Sequence, residues 1–322
     1  MAMEDRKTIL GLFAVSFLLA STVALAQTGY EYQIIDYPGA EATQVWGIND
    51  HGIAVGNGFD LDVYPFVYDI NKGTFTDVAN VAGYDATAFI GVSDSGRLAG
   101  SVYSGDTEFG LIRNVQGTDA VFSHPYAANT EARGVNNQGL VSGIRDSVEN
   151  PGLPTVGFLY DPKDDSFTDF AESVFTIVHG MNSQGEVVGS SIFFEGDPQD
   201  PCPEIFVTTP VREYGWLRAA DGSLTHFTVN GQRTSARGIN GRGQIAGSLL
   251  EVSGDTAFEK GFVIDLEGSG CQALTVAAED LLEFPGFDQT VPEGITNSGN
   301  VVGIVSVEYN SGNPHGFVAR PR

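Results

Sequence analysis

The chain has 322 residues and a formal net charge of -25, with 16 lysines and arginines against 41 aspartates and glutamates. Such an acidic surface repels phosphate backbones, which makes nucleic acid a poor partner and Ca²⁺ or a cationic surface a better one.

The N-terminus carries Arg6-Lys7, an apolar run from Ile9 to Leu19, and small residues ending Ala24-Leu25-Ala26. A charged segment, an apolar segment and an A-x-A site are the marks of an export signal cleaved after Ala26. Residues 1–26 are expected to be removed, leaving 27–322 as a single domain, secreted or periplasmic. No later apolar stretch is long enough to span a bilayer, so no membrane span is expected after processing. The C-terminal segment from Pro314 to Arg322 has no hydrophobic sorting tail. Past the signal, Tyr32-Gln33-Ile34-Ile35-Asp36 reads as a strand that lacks a local partner.

From Gly47 the stretch Gly-Ile-Asn-Asp-His-Gly-Ile-Ala-Val-Gly begins a pattern that returns at Gly91, Gly134, Gly180, Gly238 and Gly294. The third residue of each copy is Asn49, Ser93, Asn136, Asn182, Asn240 or Thr296, all able to hydrogen-bond their own backbone. The glycine three residues on takes a positive φ without steric cost, so each copy predicts a hairpin turn. Four residues before each leading glycine stands Thr43, Thr87, Thr130, Thr176, Thr234 or Thr290. Further strands follow each turn at Pro65-Phe66-Val67, Gly110-Leu111-Ile112, Gly157-Phe158-Leu159, Gly215-Trp216-Leu217, Gly261-Phe262-Val263 and Gly316-Phe317-Val318. Fourth strands are clearest at Gly73 to Asp77, Ser166 to Asp169 and Leu224 to Phe227, and weaker at Val121-Phe122 and Leu274-Thr275-Val276.

Four strands per repeat of about 40 to 50 residues is the propeller period. The expectation is an all-β, six-bladed β-propeller with four antiparallel strands per blade, its last blade completed by the N-terminal strand. Alternating strand direction puts the second-to-third and fourth-to-first connections on one face, here called the long-loop face. The hairpin turns lie on the other. Units four and five are the longest, with insertions at Ser191 to Glu213 and Asp265 to Asp288, and Thr275 to Leu282 is expected to form a short rim helix.

The Gly-Ile-Asn-x-x-Gly-x-x-x-Gly repeat with its following Gly-Phe, preceded by Asp36-Tyr37-Pro38-Gly39-Ala40, resembles the HAF family of bacterial extracellular repeat proteins. The resemblance implies secretion and a propeller-like β-fold, and brings no activity or catalytic residue with it.

The chemistry-bearing residues give little to build on. His51, His124, His179, His226 and His315 fall at five different places in the repeat, and no pair has zinc-ligand spacing. Calcium is the one cofactor open to consideration, at Asp60, Asp62, Asp197 and Asp200 in the long connections, though none forms an EF-hand. An even cysteine count in an exported chain favours a Cys202–Cys271 disulfide. Against it, Cys202 belongs to a long-loop connection while Cys271 precedes a fourth strand near the opposite face, and bridged Cα atoms must lie within about 7 Å. Two rings are candidate ligand contacts: the six threonines, and the residues just before each leading glycine, Trp46, Ile90, Arg133, His179, Arg237 and Glu293. The expected function is that of a monomeric, exported, non-enzymatic binding or scaffold module for an extracellular or periplasmic carbohydrate or protein. The alternative is a polysaccharide hydrolase or lyase using acids from several blades.

Overall fold

The computed structural model describes residues 29–114, 116–146, 155–171, 173, 175–205, 210–253, 256–307 and 313–322, so the expected signal segment lies outside the described residues. Strand β1 (Tyr30–Ile35) precedes the repeats. Unit one holds β2 (Ala42–Ile48), β3 (Ile53–Phe59), β4 (Val63–Asp69) and β5 (Thr74–Asp77). Unit two holds β6 (Ala86–Val92), β7 (Leu98–Ser104), β8 (Thr107–Arg113) and β9 (Asp119–Phe122). Unit three holds β10 (Thr130–Val135), β11 (Val141–Arg145), β12 (Val156–Asp161) and β13 (Ser166–Phe170). Unit four holds β14 (Phe175–Met181), β15 (Val187–Phe194), β16 (Val211–Arg218) and β17 (Leu224–Val229). Unit five holds β18 (Arg233–Ile239), β19 (Gln244–Ser253), β20 (Thr256–Asp265) and β21 (Gly270–Leu274). Unit six holds β22 (Gln289–Ile295), β23 (Val301–Ser306) and β24 (His315–Pro321).

Each unit is built on the turn its sequence encodes. The Asn49 side-chain oxygen accepts the N–H groups of His51 and Ile53 at 3.1 and 3.0 Å, and Asn136, Asn182 and Asn240 repeat the pattern. The glycines that follow all have φ between 76° and 89°. The inner strand of every unit then carries a β-bulge immediately before its leading glycine. Opposite that bulge the chains close in so far that a Cβ on Gly100 would lie 2.0 Å from the Ala88 carbonyl oxygen. The third strand's apolar residue, Phe66, Leu111, Phe158, Trp216, Phe262 or Phe317, is fully buried in every unit.

Inner strands β2, β6, β10, β14, β18 and β22 neighbour one another in a closed cycle, with β22 returning to β2. Their leading glycines meet around the axis: a Cβ on Gly47 would clash with Ile90 and one on Gly294 with Ile48. Two features complete the closure. Strand β1 pairs antiparallel with β24 from Tyr30↔Pro321 to Ile35↔Gly316, and Val45 and Phe66 pack against Val302 and Val318. The fold is an all-β propeller, with its apolar core divided among the seams between units.

Six separate four-stranded blades are not what forms. The strands make five hydrogen-bonded sheets, of which three, those of units one to three, have four strands. Strand β21 leaves unit five and adds to β17 of unit four in parallel, giving a five-stranded sheet. The expected fourth strand of unit five at Leu274-Thr275-Val276 is thus corrected: Leu274 ends β21 at the edge of unit four. The outer edge of β20 is covered instead by Leu282, whose backbone exchanges two hydrogen bonds with Gly261 at 2.9 and 2.7 Å. A parallel bridge between Glu259 and Gln289 then merges units five and six, with β1, into a seven-stranded sheet. The long insertion of unit five allows this exchange, because it gives β21 enough chain to reach the neighbouring sheet. The expected rim helix is reduced to a single 3₁₀ turn, Ala278–Asp280. Among the described residues no helix is long and apolar enough to cross a membrane.

Candidate functional site

The bulge explains why the residue before each leading glycine varies. A bulge leaves one residue unpaired and re-aims its side chain, and here it turns Trp46, Ile90, Arg133, His179 and Glu293 into an axial cavity of about 50 Å³. Arg237 reaches the same group, with a 2.6 Å ion pair to Glu293 and a 3.4 Å contact to Glu259. Arg133 pairs with Glu131 at 3.0 Å and lies 3.5 Å from His179 Nδ1, while His179 Nε2 is 3.3 Å from Ser235 Oγ. A guanidinium can only donate, so Nδ1 is the acceptor and Nε2–H donates to Ser235.

Burial sets the electrostatics of this cluster. It pushes the Glu293 carboxyl up to about 7, against the pull of Arg237 and Arg133. It also drives His179 well below its ordinary value, reinforced by the same two arginines, so the imidazole is neutral. Burial opposes the charge on Arg237 too, yet Glu293, Glu259 and Glu213 together raise its pKa. Beside the ring, Glu108 is raised by burial and by Glu131, and accepts a 3.0 Å hydrogen bond from Tyr103.

Toward the turn face the axis narrows to a cavity of about 40 Å³. Asn49, Asn182 and Asn240 donate to the carbonyls of Ser93, Asn240 and Thr296 at 3.0 to 3.1 Å, and Asn297 N–H donates to Asp50 at 2.6 Å, so turn is laced to turn. Ligand pockets run to about 300–1,000 Å³, whereas these spaces admit water. The bulge ring, expected from the sequence to contact a ligand, is brought together around these two small spaces.

The threonine ring is also placed by the structure. All six threonines are buried, and their Oγ1 atoms accept N–H groups from Tyr37, Val81, His124, Ser173, Val229 and Phe284 at 2.8 to 3.2 Å. Each pins the chain that enters its strand, and none lines the axial cavities. Of the aspartates considered for calcium, Asp60, Asp197 and Asp200 have side chains engaged in hydrogen bonds or ion pairs. Asp60 accepts from Asp62 N–H at 2.8 Å, Asp197 from Gln199 N–H at 2.9 Å, and Asp200 forms a 2.6 Å ion pair with Arg212 while accepting from Tyr214 at 2.9 Å. Among the described residues no group of three or more ligating side chains could hold a metal. Cys202 and Cys271 form a disulfide with Cα atoms 5.6 Å apart. Strand exchange brings them together, because β21 lies beside β17 and not on the far side of unit five.

The feature that sequence reasoning missed is a cleft of about 520 Å³ on the long-loop face. It opens between the long β19–β20 hairpin and residues 283–290, and is lined by Glu251, Val252, Phe258, Lys260, Phe287 and Asp288 among others. Glu259 lines it too and touches Arg237 behind, so the cleft abuts the axial cluster. Among the described residues the large exposed apolar side chains are Leu61, Tyr126, Phe194, Val252 and Val307. Leu61, Phe194, Val252 and Val307 flank second-to-third connections and Tyr126 a fourth-to-first one, so all five lie on the long-loop face. Thr290, one of the threonines expected to contact a ligand, lines the cleft, and the length of unit five was a further signal of it in the sequence.

Neither protein-family models nor curated proteins give a match to the chain. Among solved structures it is similar to TolB from Acinetobacter baumannii, at 11% identity and a TM-score of 0.49 over 69% of this chain and 52% of that one. The chain thus spans about half of TolB's length. Virginiamycin B lyase from Staphylococcus aureus has 10% identity and a TM-score of 0.46 over 90% and 99% of the two chains. The β-propeller domain of the Trilobed protease from Pyrococcus furiosus has 10% identity and a TM-score of 0.47 over 87% and 84%. At these scores the likenesses add nothing to the closed ring of inner strands, which carries the assignment of this chain as a β-propeller.

Proposed function

We propose that the chain is an exported propeller of the HAF type that binds an extracellular or periplasmic protein or carbohydrate through its long-loop face, without catalysis of its own. The carrying observation is that, among the described residues, the large exposed apolar side chains all flank connections of that one face, while the opposite face is laced by its turns. Val252 among them stands at a cleft of about 520 Å³ on that face, a place for a ligand's apolar groups. The Cys202–Cys271 disulfide suits an oxidising compartment and so supports export.

A second reading rests on Glu293. A buried carboxyl raised to about 7, sharing Arg237 with Glu259, has the features of a general acid in a polysaccharide hydrolase or lyase.

Thermal unfolding of residues 27–322 with EDTA, Ca²⁺ and a panel of soluble polysaccharides and envelope proteins tests the binding reading, since a ligand that prefers the folded state raises the midpoint. The expected result is a shift with one ligand class, lost in Leu61→Ser/Val252→Ser, whose own midpoint is unchanged. A ligand shift that survives that double substitution sinks the assignment of the face. Product release from a polysaccharide, abolished in Glu293→Gln, would establish the enzyme instead.

A further inference from the structure

We propose that the long-loop face docks a basic polypeptide segment, seated in the cleft between units five and six with its apolar side chains on Val252 and Phe287 and a lysine or arginine among the cleft carboxylates. This rests on the binding reading above and names the ligand's chemistry.

The cleft, at about 520 Å³, is the right size for one or two side chains and offers both surfaces such a segment needs. Val252 is 66% exposed at the tip of the β19–β20 hairpin, and Phe258 and Phe287 line the cleft beneath it. The polar lining is Glu251, Glu259, Glu283 and Asp288 against a single cation, Lys260. Lys260 Nζ stands 3.0 Å from Glu251 Oε2 and 3.1 Å from Glu283 Oε1, so this lining already holds one ammonium. Glu251 and Asp288 have capacity for further donors through a second carboxylate oxygen. Glu259 is offset by Arg237 behind it, which leaves Glu251, Glu283 and Asp288 facing outward with one lysine to balance them.

Charge complementarity selects the occupant. On a chain of net charge -25, acidic glycans and acidic peptides are repelled from a cleft of this sign and cations are drawn to it. Aromatic rings beside carboxylates suit an ammonium or guanidinium. Val252, Phe258 and Phe287 give the cleft an apolar side next to its acidic one, which a polypeptide alternating basic and apolar side chains meets and a small free amine does not.

The test is fluorescence anisotropy of residues 27–322 with a labelled synthetic peptide alternating lysine and leucine. The controls are the same peptide with glutamate for lysine, and spermidine as competitor. Binding is expected for the lysine peptide and absent for the glutamate peptide, weakening with added salt. It should fall roughly tenfold in Glu283→Gln/Asp288→Asn and again in Val252→Ser, substitutions at exposed or half-exposed positions. Equal binding by these variants, or full displacement by spermidine at matched charge concentration, overturns the proposal. No peptide binding alongside an intact polysaccharide shift overturns the basic-segment inference and leaves the binding reading standing. No shift with any probe removes both.

Discussion

Units one to three and units four to six share the same turn, the same inner-strand bulge and the same pinning threonine, yet they are joined to their neighbours in different ways. The first three are self-contained four-stranded sheets. The last three trade a strand, merge two sheets through one bridge, carry the disulfide and open the cleft. The bulge ring divides one unit earlier, with apolar Trp46 and Ile90 from units one and two and polar Arg133, His179, Arg237 and Glu293 from units three to six. Ring closure therefore depends on what is repeated, and surface chemistry on what is inserted.

The disulfide is the sharpest point of difference. It closes 69 residues of sequence and ties the β15–β16 connection to the exchanged strand. Replacing both cysteines, Cys202→Ser/Cys271→Ser, should lower stability by about 2–5 kcal/mol in denaturant unfolding. Amide exchange should quicken in β21, held otherwise by its ladder to β17, and stay unchanged in β5 and β9 of the regular units. A variant as stable as the parent, with β21 still protected, would show that the ladder suffices.

The shared turn predicts a smaller and more uniform effect. Asn240 accepts from Arg242 and Gln244 N–H at 2.9 and 3.0 Å and donates to the Thr296 carbonyl at 3.0 Å. Asn240→Ala strands these partners in a buried turn and should cost about 2–3 kcal/mol. Ser93 receives a backbone N–H from Arg97 at 3.1 Å, and Ser93→Ala should cost about 1 kcal/mol. Equal losses at the two positions would mean that the links between turns contribute nothing.

These contrasts show what a reader of the residues could and could not see. The turn was legible because Asn136, Gly139 and their equivalents act on backbone within four residues, where side-chain chemistry dictates conformation directly. Closure by the N-terminal strand was legible from a missing partner. The destination of β21 was not, because its pattern suits the edge of either sheet, and the insertion and the Cys202 bridge decide between them. That misplacement is also what made the two cysteines look too distant to pair. The cleft escaped notice because it is formed by segments some thirty residues apart that share no motif, Val252 to Lys260 and Glu283 to Thr290. The varied ring was noticed, but only the bulge register shows that its members turn inward and pack against one another.

The remaining expected effect lies in that ring and is read as a slope against pH. Glu293 rises from 4.5 to about 7 on folding, so between those values the folded state holds a proton that the unfolded chain has lost. Its contribution is complete below pH 4.5 and disappears as pH rises through 7, by at most about 3 kcal/mol, with the pull of Arg237 already included in that value. His179, His124 and His226 act with the opposite sign. Burial holds their folded values below the ordinary 6.5, so their contribution is present above that pH and is lost as acid protonates the unfolded chain. The two slopes oppose each other in the parent between pH 5 and 7. Glu293→Gln removes one of them, and urea unfolding of the variant should then show stability rising across that interval more steeply than in the parent. Parallel curves for the two proteins would mean that Glu293 stays ionised beside Arg237, and the interior of units five and six would be a fixed ion pair instead of a proton-holding one.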